Sequence, residues 1–207
     1  KDYKTAGQRI ATPVKQFNVK NGALQTITVF DRLFADRINC VPMKNIKQLY
    51  PNGIDMADAA WIIRRLLETC EFLWSFGVVH GSITPDHVLL NQDTHAAILI
   101  GWTHSVKSGS VIQTASSEWR DFLAPEITEK RAATTETDVY MISKCLQWLV
   151  GDRINDPKFS QVKNLMYGCQ MKSSAGRLNP TQVYKMFGKI LEDLYGTPKF
   201  RFLKLKE

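Results

Sequence analysis

No apolar run in this chain is long enough to span a bilayer, and its first residues lack the charged-then-apolar pattern of a signal peptide. No membrane partner is therefore expected, and the chain is placed in the cytoplasm. Cysteine is scarce: Cys40, Cys70, Cys145 and Cys169 are the four, none forms a C-x-x-C pair, and each has apolar neighbours. That spacing predicts buried, reduced thiols rather than a disulfide framework. No internal repeat or low-complexity linker divides the chain. An initial methionine is also missing. Since the chain opens on Lys1, it is expected to be a fragment, or the ordered part of a longer product.

What is present is ordinary for a globular protein. Of 207 residues, 44% are hydrophobic and 23% charged, enough to bury a core without staples. The net charge of +7 admits nucleic acid or acidic surfaces as partners. The basic residues are scattered, however, which argues against nucleic acid. Their one local concentration is the C-terminal tail, Lys199, Arg201, Lys204 and Lys206, interleaved with Phe200, Phe202, Leu203 and Leu205. A packed or edge-strand terminus accounts for that mixture.

Residues 1–50 read as strand and loop. Val14 to Val19 and Leu24 to Phe30 alternate loosely around Lys20-Asn21-Gly22, a hairpin signal. After the turn at Pro51-Asn52-Gly53 the period changes. Asp55 can cap a helix, and Ala59, Ile62, Ile63, Leu66, Leu67, Cys70, Leu73 and Trp74 fall on one helical face, expected to be buried, up to Gly77. Two short apolar pieces, Val88–Leu90 and Ala96–Ile100, predict a small hairpin. A Ser/Thr/Gly-rich loop runs from Thr103 to Ser117. Three further helices are predicted: from about Thr137 to Val150, from about Pro157 to Cys169, and from the Asn179-Pro180 cap to just before Gly196.

Several short words lie along this order. Val78-Val79-His80-Gly81-Ser82-Ile83-Thr84-Pro85-Asp86-His87 stands before the first apolar piece, and Gly101-Trp102-Thr103 follows the second. Ala124-Pro125-Glu126 comes next, then Thr137-Asp138-Val139-Tyr140, and Arg177 precedes the last helix. From about Leu24 to Tyr195 this succession resembles the protein-kinase-like family, with its H-R-D-L-x-x-x-N, D-F-G and A-P-E words. The H-G pair at His80 is similar to that of bacterial kinase-like proteins. The resemblance implies an α+β fold, with residues 1–50 as partial small-lobe strands and hinge and residues 51–207 as a mainly helical large lobe. It also implies structural roles for His80, Trp102, Ala124, Pro125 and Glu126. Asp138 would accept hydrogen bonds from the loop at His80, and Arg177 would pair with Glu126.

Against that family the chemistry is depleted. Phosphoryl transfer requires a catalytic-loop aspartate as base, and an asparagine and the D-F-G aspartate to hold magnesium. Those positions are Ser82, His87 and Gly101, and the loop lysine is Thr84. No G-x-G-x-x-G occurs, and Lys15 reads as a surface lysine on a strand. The resemblance thus implies a pseudokinase, a regulatory scaffold acting through a protein partner or an attached domain, with no catalytic residue and no cofactor. The alternative is a divergent ATP- and Mg-dependent phosphotransferase that uses Asp86 or His87 as surrogate base or metal ligand. A carboxylate beside an imidazole makes that pair the one weak metal candidate.

Overall fold

A computed structural model describes residues 13–21, 23–30, 40–91, 93–115, 117–197, 199 and 201–205, the first two segments by their backbone alone. The opening residues, Gly22 of the predicted turn, Gln92, Ser116, and Phe200 and Lys206 of the tail lie outside it. The architecture is α+β, with more helix than strand.

Two strands come first, β1 (Pro13–Asn21) and β2 (Ala23–Phe30), paired antiparallel with Asn18 opposite Thr26. Next is β3 (Cys40–Pro42), then a single 3-10 turn at Met43–Asn45 and α1 (Ile46–Leu49). The sequence pattern contained no signal for these last pieces. They are too short to show a period, and each is held from outside. Val41 of β3 pairs with Leu90, and Lys44 N donates to Pro85 O at 3.0 Å. Met43 and Ile46 are buried beneath this segment.

The long helix α2 (Met56–Ser75) begins where Asp55 accepts a hydrogen bond from Ala57 N at 2.8 Å. It ends two residues before Gly77, whose φ of +65° no β-carbon-bearing residue adopts cheaply. Its apolar stripe is fully buried at Ile62, Ile63, Leu66 and Leu67, but Trp74, expected on the buried face, lies in the last turn and is 40% exposed. Each such side chain contributes roughly 1.5–3 kcal/mol by leaving water.

Beyond α2 come β4 (Val78–Val79), β5 (Val88–Asn91), β6 (Ala96–Leu99) and β7 (Val106–Lys107). Strands β3, β5 and β6 form one antiparallel sheet in that order, and β4 pairs with β7 in a separate ladder. The region 103–117 is therefore not a plain loop. It contributes β7, and Val111 bridges to Ala132.

After a short α3 (Pro125–Thr128) the chain builds α4 (Thr135–Val150), α5 (Ser160–Cys169) and α6 (Pro180–Tyr195). Helix α4 starts two residues earlier than its apolar period indicates, because Thr134 N is satisfied by Thr137 Oγ1 at 2.9 Å. Helices α4 and α6 both pack on α2, and α5 packs on both of them. Val139, Ile142 and Leu146, Val162 and Met166, and Val183 and Phe187 carry the core across these helices. In the tail, Leu203 and Leu205 are buried while Phe202 is exposed, so it packs without forming a strand over 201–205. Three of the cysteines are buried and Cys40 half-buried, all as free thiols. Among the described residues no helix is long and apolar enough to cross a membrane.

Candidate functional site

Two ladders fix the ends of two loops. Residues 80–87 run between β4 and β5, and residues 100–105 run between β6 and β7, so the antiparallel pairs hold both loops together. Ile100 N donates to His87 O at 2.9 Å, where the second loop leaves the sheet. The segments around His80 and Gly101 therefore face each other although some twenty residues part them.

Asp138, in the first turn of α4, is fully buried beneath the first loop. Its two carboxylate oxygens accept from His80 N and Gly81 N, each at 2.8 Å. Burial pushes its carboxyl up to about 7, although both backbone hydrogen bonds favour the anion. His80 is equally buried. Its Nε2 donates to Ile100 O at 3.1 Å, and its Nδ1 accepts from Ser82 N at 3.3 Å, which fixes one neutral tautomer. Burial, with the nearby His87, pulls this imidazole down to about 3. The Trp102 ring stands edge-on to it at 4.6 Å, half-buried at the margin of the core, and Trp102 Nε1 donates to Leu99 O. His80 is thus buried with both ring nitrogens bonded to backbone groups.

Ser82 and His87 meet. His87 Nδ1 lies 2.8 Å from Ser82 O and 2.9 Å from Ser82 Oγ. A carbonyl oxygen only accepts, so Nδ1 carries the proton and cannot also take one from the serine hydroxyl. Ser82 is moreover buried. The pair is therefore not an activated serine nucleophile of the kind a histidine base produces. It locks the imidazole plane.

That plane lies against Gly101. A β-carbon built on Gly101 would fall 2.5–2.7 Å from three atoms of the His87 ring, and Gly101 has a φ of +79°. No side chain fits at position 101 while His87 keeps its place. Gly81 is closed in the same manner. A β-carbon there would meet Ile112 Cδ1 at 2.4 Å, with φ at +72°. Ile112 is 1% exposed, and Lys130 Nζ ties its carbonyl at 3.2 Å and that of Gln113 at 2.5 Å. Sequence reasoning missed Ile112 and Lys130. The one available signal was a lone isoleucine within a Ser/Thr/Gly-rich stretch.

Asp86 does not stand free in solvent: its Oδ1 forms a salt bridge with Lys44 at 3.2 Å, and its side chain is 21% exposed. Thr84 is fully buried. Among the described residues no three of His, Cys, Asp and Glu converge into a metal-holding group. Magnesium takes oxygen ligands, usually one or two carboxylates with waters and phosphate oxygens, and in this loop pair the one carboxylate is that of Asp86. Position 101 offers no side chain, position 87 an imidazole and position 82 a buried hydroxyl.

Farther from the loops, Arg177 and Glu126 form a fully buried, two-pronged ion pair, Nη1 to Oε1 at 2.7 Å and Nη2 to Oε2 at 2.9 Å. Thr137 Oγ1 donates to the same Oε1 at 2.7 Å. Burial opposes ionisation of Glu126, but the Arg177 and Thr137 hydrogen bonds outweigh it and hold the carboxyl below its usual range. Ala124 and Pro125 lead into α3 and place Glu126 there, the proline at the first helical position.

Comparison with known proteins adds a partial likeness. The chain is 30% identical over 95 residues, 42% of its length, to the serine/threonine-protein kinase PDK1 of Cryptococcus neoformans var. grubii. It is 28% identical over 97 residues to the serine/threonine-protein kinase D of Synechocystis, and 27% identical over 124 residues to the death-associated protein kinase dapk-1 of Caenorhabditis elegans. These stretches cover 43% and 55% of the chain. The matched stretch is 8%, 19% and 9% of those three relatives in turn, so the chain spans under a fifth of each. No protein-family model matches. The similarity indicates a protein-kinase-like relationship over about half of the chain.

Proposed function

We propose that this chain carries the helical lobe of a protein-kinase-like fold and serves as a non-catalytic scaffold that binds a protein partner or an attached domain. The observation that carries this reading is the packing of the His87 ring into the space a Gly101 side chain would need. Where active kinases place a metal-binding carboxylate, this chain has a filled volume. The framework groups of that family are present: buried Asp138 under the loop and, farther away, buried Glu126 bound to Arg177. A scaffold requires the framework without the base. The salt bridge of Asp86 to Lys44 also speaks against a surrogate base there.

A thermal melt with ATP, with and without Mg²⁺ or Mn²⁺, tests the proposal, because a ligand bound only by the native state raises the midpoint. The expected result is no metal-dependent rise and transfer of labelled phosphate at background. A metal-dependent rise that His87→Ala abolishes, together with measurable transfer, would establish the divergent phosphotransferase instead.

A further inference from the structure

On another face of the molecule, a cavity of about 1120 Å³ opens between α2, α6 and the segment that follows α6. Drug-sized pockets span roughly 300–1,000 Å³, so this is a groove with room for more than a small molecule. Its walls are unusual in two respects.

The first is charge. Arg64, Arg65, Lys185, Lys199 and Arg201 line it, against Glu68 and Glu192. The network inside absorbs part of this excess. Arg65 pairs with Glu68 at 2.9 Å, and Arg201 pairs with Asp58 at 2.7 Å. Arg64 Nη2 donates to Tyr184 Oη, which donates to Glu68 Oε1. Lys185 and Lys199 are exposed and form no ion pair among the described residues.

The second is shape. Gly188 lies in the interior of α6, where glycine weakens a helix, yet a β-carbon there would meet nothing within 4 Å. No intramolecular neighbour calls for its smallness, and with Ala57 and Ala60 it lines the groove by small side chains. An aromatic wall accompanies it: Trp61 and His95 stack face to face, with ring centroids 4.4 Å apart and planes within 6°.

We infer that this groove docks an acidic peptide segment of a protein partner, carboxylates toward Lys185 and Lys199 and an apolar or aromatic side chain over Gly188. The charge excess favours an anionic partner. Glu68 and Glu192 interrupt the cationic surface. They would repel the continuous phosphates of a nucleic acid, whereas a peptide can space its carboxylates around them. The groove shares no residue with the His80–His87 and Gly101 loops, so the inference holds whichever way the ATP experiment falls.

The test uses the whole chain and a fluorescein-labelled synthetic peptide of glutamates interspersed with leucines and one phenylalanine, followed by fluorescence anisotropy. Saturable binding that weakens with salt is expected. Lys185→Glu with Lys199→Glu should weaken it by about tenfold or more. Gly188→Trp should abolish it by filling the groove, with the melting midpoint and far-ultraviolet spectrum of each variant as the check on folding. Lys158→Glu, outside the groove, should leave it unchanged. The inference is overturned by an absence of saturable binding, by equal binding in the groove variants, or by tighter binding of an oligouridylate through the same two lysines.

Discussion

Two contacts at the scale of single residues, His87 on Gly101 and Arg177 on Glu126, respond to substitution in opposite ways. Restoring a carboxylate at position 101 means placing it inside the His87 ring. Gly101→Asp should therefore cost about 1–3 kcal/mol, the usual penalty of overpacking, read as a lower urea midpoint. The double variant Gly101→Asp with His87→Ala should regain most of that loss. If it melts with the single variant, the ring is not the obstacle. The Glu126–Arg177 pair presents the opposite situation, two charges that are tolerable only together. Arg177→Met strands a carboxylate at zero exposure and should cost about 3–5 kcal/mol. Replacing both partners by apolar residues of similar volume should cost much less, and a double-mutant cycle measures the difference.

Among the elements, legibility followed length. Helices α2, α4, α5 and α6 were visible in the sequence because their apolar residues recur with helical spacing between recognisable caps, Asp55 and Asn179 among them. Strands β5 and β6 showed as apolar runs. By contrast β3, α1 and β7 have three, four and two residues and no period of their own. They exist because a neighbouring ladder or carbonyl holds them, information that resides elsewhere in the chain. The motif words located the loop segments in the same manner. The contact of His87 with Gly101, and the seating of Ile112 on Gly81, left no trace in spacing, since loops pack by shape rather than by period. The start of α4 offers a test of how far one side chain can hold an element. Thr137 Oγ1 both satisfies Thr134 N and donates to Glu126. Thr137→Val keeps the volume and removes both bonds, and should cost about 2 kcal/mol in a denaturant titration. A loss within error would mean that water replaces the hydroxyl.

For the molecule as a whole, two buried titrations oppose each other. Folded His80 resists a proton down to about 3, whereas unfolded it would accept one near 6.5, so acidification through that window removes stability. Folded Asp138 keeps its proton up to about 7, against 3.8 ordinarily, so the same acidification adds stability. Over the shared window the two nearly cancel, and this pair should leave the stability of the native chain almost flat. Asp138→Asn removes one side of the balance. That variant should lose up to about 1.4 kcal/mol per pH unit as pH falls from 6.5 toward about 4, seen in urea melts at stepped pH. A flat profile in the variant would show that His80 is not held neutral. The packing of His87 on Gly101 also makes substitutions at the two positions depend on their order. A side chain introduced first at position 101 meets the imidazole and is strained, whereas the same change made after the imidazole is gone no longer meets that ring. Under the proposed reading, the path of single substitutions toward a carboxylate at position 101 is therefore smoother through position 87 first, and the pair behaves as a ratchet.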